Sequence, residues 1–596
     1  MDPKNSSEGS QKHNDESVDV WALPEFKDTS AKWSELDGLG KVKRVVIVVL
    51  KVSLLLALLY MFICSLSFLS SAFRLLGGKA AGRAFSENEI LSNPVAGLMI
   101  GVLVTVLVQS SSTSTSIVVA MVAGDVLKVE NAIYIIMGAN IGTTVTNTLV
   151  SIGQSIDRDQ FRRAFAAATV HDMFNFLTVL IFLPLEAITG YLFRLSDRIV
   201  ESLNLKTQES LKQDYLKKIT KPFTDKVIKL DKKLIEKIAK AQTEKERMQY
   251  EQKSMIQQFC AESQHNVTHL ANVSVGSSYK MVNTTKLVKV KDVPCDFLFH
   301  GTSLSDNAVG TILLVLSIFV LCVCLVSIVK LLHSMFRGRL AVMTRKVVNT
   351  DFPKPFGFLT GYLAIVFGAV LTFFVQSSSI FTSALTPLVG VGVVSVDRMY
   401  PLTLGSNIGT TTTALLASFA ADSSKIRYTL QIALCHLFFN ISGILVWYPV
   451  PFMRKVPMNM AKCLGNTTAR FRWFAIVYIF IVFFVIPGMV FGLSLAGTAV
   501  FLGIGIPVLL LIVAIIIINI LQSKKPRVLP QRLKTWDWAP KWSRSLEPYD
   551  KAISKVSELI KVKKSQKSTT SYDVNSHKNA GFELDDVKVD KPQNSI

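Results

Sequence analysis

Long apolar stretches alternate with polar ones along most of this chain, and their lengths set the first expectation. Val45–Phe73, Val309–Leu332, Trp473–Leu495 and Val500–Leu521 are each long enough to cross a bilayer as one helix, which takes about 20 residues. Ala132–Ile152 and Ala164–Leu192 read as two more crossings, and Leu402–Phe419 with Leu430–Tyr448 as another pair. Pro94–Gly124 and Phe356–Val394 break the pattern. In each, two short apolar runs flank a polar cluster, and the first cluster, Gln109–Ser116, is eight consecutive polar residues. A lipid-facing helix does not carry such a run; polarity and irregular backbone at that depth belong where they line a cavity inside the protein. Both stretches are therefore predicted to be re-entrant hairpins with the polar clusters at their tips.

The two clusters are copies. Gln109-Ser110-Ser111-Ser112 recurs at Gln376-Ser377-Ser378-Ser379, and each is followed by Asn-Ile-Gly-Thr-Thr beginning 31 residues after its Gln, at Asn140 and Asn407. Gly101, Thr105 and Val108 match Gly368, Thr372 and Val375 at an offset of 267, and His171 and Asn175 match His436 and Asn440 at 265. A duplicated polar cluster in apolar sequence points to a transporter built from internal repeats, with its site where they meet.

Charge placement orients the chain. Lys41, Lys43 and Arg44 precede the first span, Arg337, Arg339, Arg345 and Lys346 lie mid-chain, and Lys524, Lys525 and Arg527 follow the last span. By the positive-inside rule both termini are cytoplasmic. The formal net charge of +22 is thus accounted for at membrane flanks, and no nucleic-acid partner is expected. The first 44 residues lack the apolar core of a cleaved signal peptide. Three full crossings separate the hairpins, an odd number, so the repeats are predicted to be inverted. The expectation is an all-α polytopic membrane protein with inverted-topology repeats, two re-entrant hairpins and a large extracellular loop. Its parts are a cytoplasmic tail (1–44), a first helix (45–75), repeat 1 (94–196), the loop (197–307), a helix (308–333), a basic linker (334–355), repeat 2 (356–450), a closing helix pair (472–521) and a second tail (522–596).

Within the hydrophilic loop, Cys260 and Cys295 bracket three sequons, at Asn266, Asn272 and Asn283. Glycosylation and disulfides both belong outside the cell, so the loop is expected to carry a Cys260–Cys295 bridge and glycans. Leu216–Lys240 has helical periodicity and is expected to form a solvated helix or two. Trp536, Trp538 and Trp542, mixed with Lys and Arg, predict an interfacial helix, and the sequence beyond Lys564 is expected to be disordered.

Hydroxyls, the Gln amides and half-helix N-termini can together hold an oxyanion, while unwound carbonyls and hydroxyl oxygens suit sodium. Gly138, Gly142, Gly405 and Gly409 permit backbone breaks and close approach. Small polar residues also serve simply to glue membrane helices together, but two equally spaced inverted copies favour a site. His171 and Asp172 stand mid-span, where ionisable groups are costly and usually functional. Asp172 has no counterpart in repeat 2, where Leu437 replaces it, which makes it a candidate for an extra cation. A helix–helix hydrogen bond is the plainer alternative for Asp172, and structural imidazoles for His171 and His436. Lys51 is near enough to a span end to snorkel. No phosphate loop, HExxH, CxxC or lipase-type motif is present, so neither an enzyme nor a resident cofactor is expected.

At Gln109–Ser116, Met137–Thr148, Gln376–Thr386 and Gly405–Thr413 the chain resembles the type II sodium-dependent phosphate cotransporters of animal epithelia; Asn93–Gly97 and Thr535-Trp536-Asp537 add to the likeness, which runs from about Trp21 to about Tyr549. The resemblance implies import of inorganic phosphate with sodium across the plasma membrane, at the apical face of epithelial cells, by alternating access. It implies that Ser110, Ser111, Thr113, Ser377 and Ser378 contact phosphate. It implies a sodium site from Gln376, Ser377, Thr410 and Thr413, with Gln109, Ser110 and Thr143 as repeat 1 counterparts. Electrogenic members carry two alanines and an aspartate where electroneutral ones have two serines and a glycine. Ala166, Ala168 and Asp172 match the electrogenic kind, which implies three sodium ions per divalent phosphate. Two rivals stand beside this reading: a transporter of sulfate or a dicarboxylate, and a receptor or scaffold acting through its loop and tail.

Overall fold

A computed structural model describes residues 20–21, 37–86, 93–123, 126–203, 222–241, 243–275, 278–335, 348–418 and 426–555. Most of the two tails and part of the basic linker lie outside these residues, as do the side chains of 261–292 and of Thr413. Among the described residues, eight helices are long and apolar enough to span a membrane. The chain is an all-α polytopic membrane protein with one two-stranded excursion.

Helix α1 (Gly38–Ser86) is longer than the predicted first span at both ends. The first hairpin is α2 (Pro94–Val108) and α3 (Ser111–Ala123). Its start is fixed locally: Pro94 occupies the first turn, and the Asn93 side chain accepts from the backbone N–H of Val95 and Ala96. Then come α4 (Val129–Gly142), α5 (Val145–Ile152), α6 (Arg158–Thr189) and the shorter α7 (Tyr191–Ser202). Glu186, buried near the end of α6, accepts from the N–H groups of Leu192 and Phe193 and so caps α7.

The loop contains α8 (Lys232–Lys240), α9 (Glu244–Glu251) and an antiparallel hairpin, β1 (Phe259–Val275) and β2 (Ser278–Pro294). Cys260 and Cys295 are disulfide-bonded across its base. Asn266 and Asn272 fall on β1 and Asn283 on β2, with side chains outside the described residues. The helix expected to be solvated is not: Leu234, Ile235, Ile238 and Ala239 are buried, and Ile235 and Ile238 sit on Gly78 and Gly82 of α1. Its four-residue apolar spacing is a docking face. An Arg83–Glu251 fork and a Lys79–Asp306 bridge tie the same end of α1 to α9 and α10.

Helix α10 (Asp306–Met335) leads to the second hairpin, α11 (Leu359–Val375) and α12 (Ser378–Val391). Next are α13 (Val396–Ser418), α14 (Ile426–Trp447) and α15 (Pro451–Arg470). The predicted span Trp473–Leu495 is interrupted: α16 (Phe474–Phe480) and α17 (Ile486–Leu495) flank a π-turn at Ile481–Val485. Helix α18 (Thr498–Lys524) is the last candidate span. Contacts divide the chain into compact units Met1–Phe501 and Leu502–Ile596. In the second, Trp536 Nε1 donates to Asn519 Oδ1 at 2.8 Å and Gln522 Nε2 to Leu533 O at 2.8 Å. The expected interfacial helix is absent there. Pro526, Pro530 and Pro540 break the segment into 3₁₀ turns and one helical turn, Lys541–Arg544.

The repeats make matching backbone contacts at paired glycines. A side chain at Gly101 would run into Ile135 O and one at Gly138 into Leu98 O; at an offset of 267, Gly368 meets Leu402 O and Gly405 meets Ile365 O. These glycines therefore serve close backbone packing of α2 on α4 and of α11 on α13. They do not break their helices. The break in repeat 1 falls at Thr143-Thr144, and α13 has none. Among the described residues three span-length helices lie between the hairpins (Val129–Ile152, Arg158–Thr189 and Asp306–Ile328), an odd number, as inverted repeats require.

Candidate functional site

Each hairpin reverses on its glutamine. Gln109 (φ 54°) and Gln376 (φ 53°) are the non-glycine residues at positive φ among those described. Such a conformation costs about 1–2 kcal/mol for an L-residue, and strain of this kind collects at functional positions. Gln109 is held there: its Nε2 donates to Val106 O at 2.7 Å and its Oε1 accepts from Thr146 Oγ1 at 2.8 Å. Thr146 was not singled out from sequence, although it precedes Thr413 by the repeat offset of 267.

Beyond the reversal the hydroxyls converge. Thr113 donates from N and Oγ1 to Ser110 Oγ, at 3.2 and 3.0 Å. Ser377 caps α12, its Oγ accepting from Ile380 N at 3.3 Å. Ser111 and Ser378, the first residues of α3 and α12, are both buried. The first turns of the two helices present N–H groups that have no intrahelical partner. Those dipole ends favour an anion.

The second helix of each hairpin lies against the other repeat. α3 packs on α13 and α14, and α12 on α5 and α6. Ser379 Oγ donates to Thr143 O at 3.3 Å, while Thr382 and Ser383 both donate to Asn147 Oδ1, at 2.7 and 3.0 Å. Thr143, expected in a sodium site, thus offers its carbonyl to the opposite hairpin, and its hydroxyl donates to Ala139 O at 2.7 Å. Thr410 Oγ1 donates to Ser406 O at 3.0 Å on α13. Gln376 stands at the turn of the second hairpin, with its backbone N–H bonded to Thr372 O. The role expected of Thr413 falls on a side chain outside the described residues.

Deeper in, Asn140, Asn175, Asn407 and Asn440 join His171 and His436 in a buried network that crosses between repeats. Asp172 sits beside it on α6, fully buried. Its Oδ2 accepts from Tyr478 OH at 2.8 Å and lies 3.5 Å from Thr148 Oγ1. No hydrogen bond of ordinary geometry reaches its Oδ1, although the Thr144 hydroxyl also lies near the carboxylate. A buried carboxylate oxygen so placed is costly and open to a cation. Ala166 and Ala168 are fully buried on the same helix. Ala166 approaches the backbone at Gly465 on α15. Tyr478 was invisible to sequence reasoning because it comes from another helix 306 residues away. Arg74, buried on α1 and bonded to Thr113 and Val108, was also missed, though an arginine abutting an apolar span is itself a signal.

Paired helical hairpins, a reciprocal interface between repeats and hydroxyl-lined tips are the arrangement expected of a membrane transporter built from internal repeats. A family profile described as Na+/Pi-cotransporter matches residues 61–194 and 330–449. The chain is 54% identical over 547 residues to sodium-dependent phosphate transport protein 2B of Homo sapiens, covering 90% of this chain and 79% of the relative. It is 52% identical over 508 residues to sodium-dependent phosphate transport protein 2A of Rattus norvegicus, covering 85% and 77%. The chain belongs to the Na+/Pi-cotransporter family. No solved structure matches it.

Proposed function

We propose that this chain is a symporter that imports inorganic phosphate with sodium ions across the plasma membrane by alternating access. The observation that carries the reading is the pair of left-handed glutamines, Gln109 and Gln376, each opening a hydroxyl-rich helix start against the opposite repeat. Ser110, Ser111, Thr113, Ser377 and Ser378 contact the phosphate. Gln376, Ser377, Thr410 and Thr413 hold one sodium ion, and Gln109 and Thr143 supply a second set in repeat 1. Asp172 takes a third with its uncommitted Oδ1, in the company of Ala166 and Ala168. Three sodium ions with one divalent phosphate move one net positive charge, and 100 mV contributes about 2.3 kcal/mol per charge to accumulation. Both termini are cytoplasmic and the 197–307 loop is extracellular, with glycans at Asn266, Asn272 and Asn283. The membrane is the apical one of an epithelium.

Radiolabelled phosphate uptake under voltage clamp, in oocytes with sodium or choline outside, tests this. Sodium-dependent uptake with about one inward charge per phosphate supports it. Uptake without current removes the role of Asp172. No uptake by protein shown to be at the surface defeats the reading.

A further inference from the structure

Arg74 is a cation inside an apolar bundle with no acidic side chain paired to it among the described residues. It is 7% exposed. Its Nη2 donates to Thr113 Oγ1 at 2.9 Å and its Nε points to Val108 O at 3.4 Å. One turn earlier on α1, Ser70 Oγ donates to Gln109 O at 3.3 Å. Helix α1 therefore caps two carbonyls freed where α2 ends, and sets a guanidinium beside the hydroxyls of Thr113 and Ser110. Two bonds to neutral acceptors do not neutralise a buried charge, which stays expensive without a counter-charge. Among the described residues repeat 2 shows no buried equivalent: Asp306–Ile328 of α10 contains no basic residue and Lys330 beyond it is exposed, and the tip of α12 bonds to Thr143 and Asn147 instead. The cation thus distinguishes one tip from the other. A guanidinium presents a rigid fork of N–H donors that matches tetrahedral oxyanions, and Nη1 carries two donors beyond those engaged.

We propose that Arg74 is the fixed counter-charge of the transported oxyanion, holding it at the tip of the first hairpin with Ser110, Ser111 and Thr113 and setting the preference for its doubly charged form. This rests on the phosphate reading above. The rival role is a cross-brace between α1 and the hairpin, which would govern how much active protein exists but not how tightly it takes phosphate.

The test is phosphate uptake by the full chain, normalised to surface protein, for wild type, Arg74→Gln and Arg74→Lys, at pH values on both sides of the second phosphate ionisation. Arg74→Gln is expected to raise the phosphate KM about tenfold or more, the scale of a lost charge-assisted bond, with sodium activation little changed and the preference for divalent phosphate weakened. Arg74→Lys keeps the charge but not the fork, and is expected to raise KM less. An unchanged phosphate KM in Arg74→Gln, with only the maximal rate reduced, overturns the proposal in favour of the brace. Should Arg74→Gln fail to reach the surface, Arg74→Met serves as a second uncharged variant, and an unchanged phosphate KM in it overturns the proposal equally. Wild type at the surface without sodium-dependent phosphate uptake overturns both this proposal and the reading beneath it.

Discussion

His171 Nε2 lies 2.6 Å from Asn407 Oδ1, and the repeat-related His436 Nε2 lies 3.3 Å from Asn140 Oδ1. Each histidine reaches into the other repeat, the reciprocity that a two-fold relation imposes. The hydrogen-bond chain also assigns the protons. Asn140 O can only accept, so Asn175 Nδ2 donates to it; Asn175 Oδ1 then accepts from Asn407 Nδ2, leaving Asn407 Oδ1 to accept from His171 Nε2–H. His171 Nδ1 has no partner. The Nε2–H acts as a donor in the interface between repeats.

His171→Ala should therefore destabilise the protein by about 1–3 kcal/mol, the cost of a buried acceptor left unpaired, whereas His171→Gln, which can still donate, should keep most of the transport. Thermal unfolding of purified protein and uptake per surface copy are the measurements. Loss of uptake in His171→Gln with stability intact would instead mark His171 as a proton carrier.

Asp172→Gly should abolish the transport current while uptake continues, because it removes a fully buried carboxylate whose Oδ1 has no hydrogen bond of ordinary geometry. Tyr478→Phe deletes the shorter of the two hydroxyl contacts to Oδ2 and should preserve the current while shifting the sodium concentration for half-maximal activation. Charge per phosphate under voltage clamp separates the two. An unaltered ratio in Asp172→Gly would leave Asp172 a helix–helix contact.

Much of this architecture can be read from sequence because duplication tests itself: the Gln-Ser-Ser-Ser tips and the glycine pairs recur at an offset of 267, and the His171/His436 and Asn175/Asn440 pairs at 265. Most span positions and the Cys260–Cys295 bridge follow from apolar length and loop chemistry, whereas α1 runs past its predicted ends on both sides. The remainder depends on what lies opposite. Ile235 and Ile238 read as a solvated amphipathic helix until Gly78 and Gly82 are seen to receive them. The β1–β2 hairpin lies in polar sequence, where Val273 and Val275 on one strand and Val288 and Val290 on the other alternate with polar residues too briefly to announce strands of this length. Arg74 and Tyr478 matter through partners on other helices, which no local pattern encodes. Thr143-Thr144 interrupts a helix with residues that elsewhere sit inside one, as Thr410 does.

The glycine pairs give a steric prediction with an internal control. Gly101→Val and its counterpart Gly368→Val should each prevent surface expression, since the new side chain meets backbone carbonyls that cannot yield. Gly503→Ala, where nothing lies within 4 Å, should be expressed like wild type. Quantitative surface labelling reads all three, and normal expression of either valine variant would contradict the packing of hairpin on span.

Gln376→Gly separates backbone need from side-chain need at the hairpin tip. Were the residue there only to turn the chain, glycine would serve better, relieving about 1 kcal/mol of left-handed strain. The side chain must then be what keeps a glutamine at a strained position twice over. Stability of Gln376→Gly should thus stay within about 1 kcal/mol of wild type, because strain relief offsets the side-chain interactions lost, while sodium-coupled uptake disappears. Thermal unfolding with and without sodium makes the distinction: the wild type should gain stability from the ion by mass action, and the variant should gain less. A variant that unfolds early yet transports normally would mean that Gln376 is a structural residue and that the sodium site lies elsewhere.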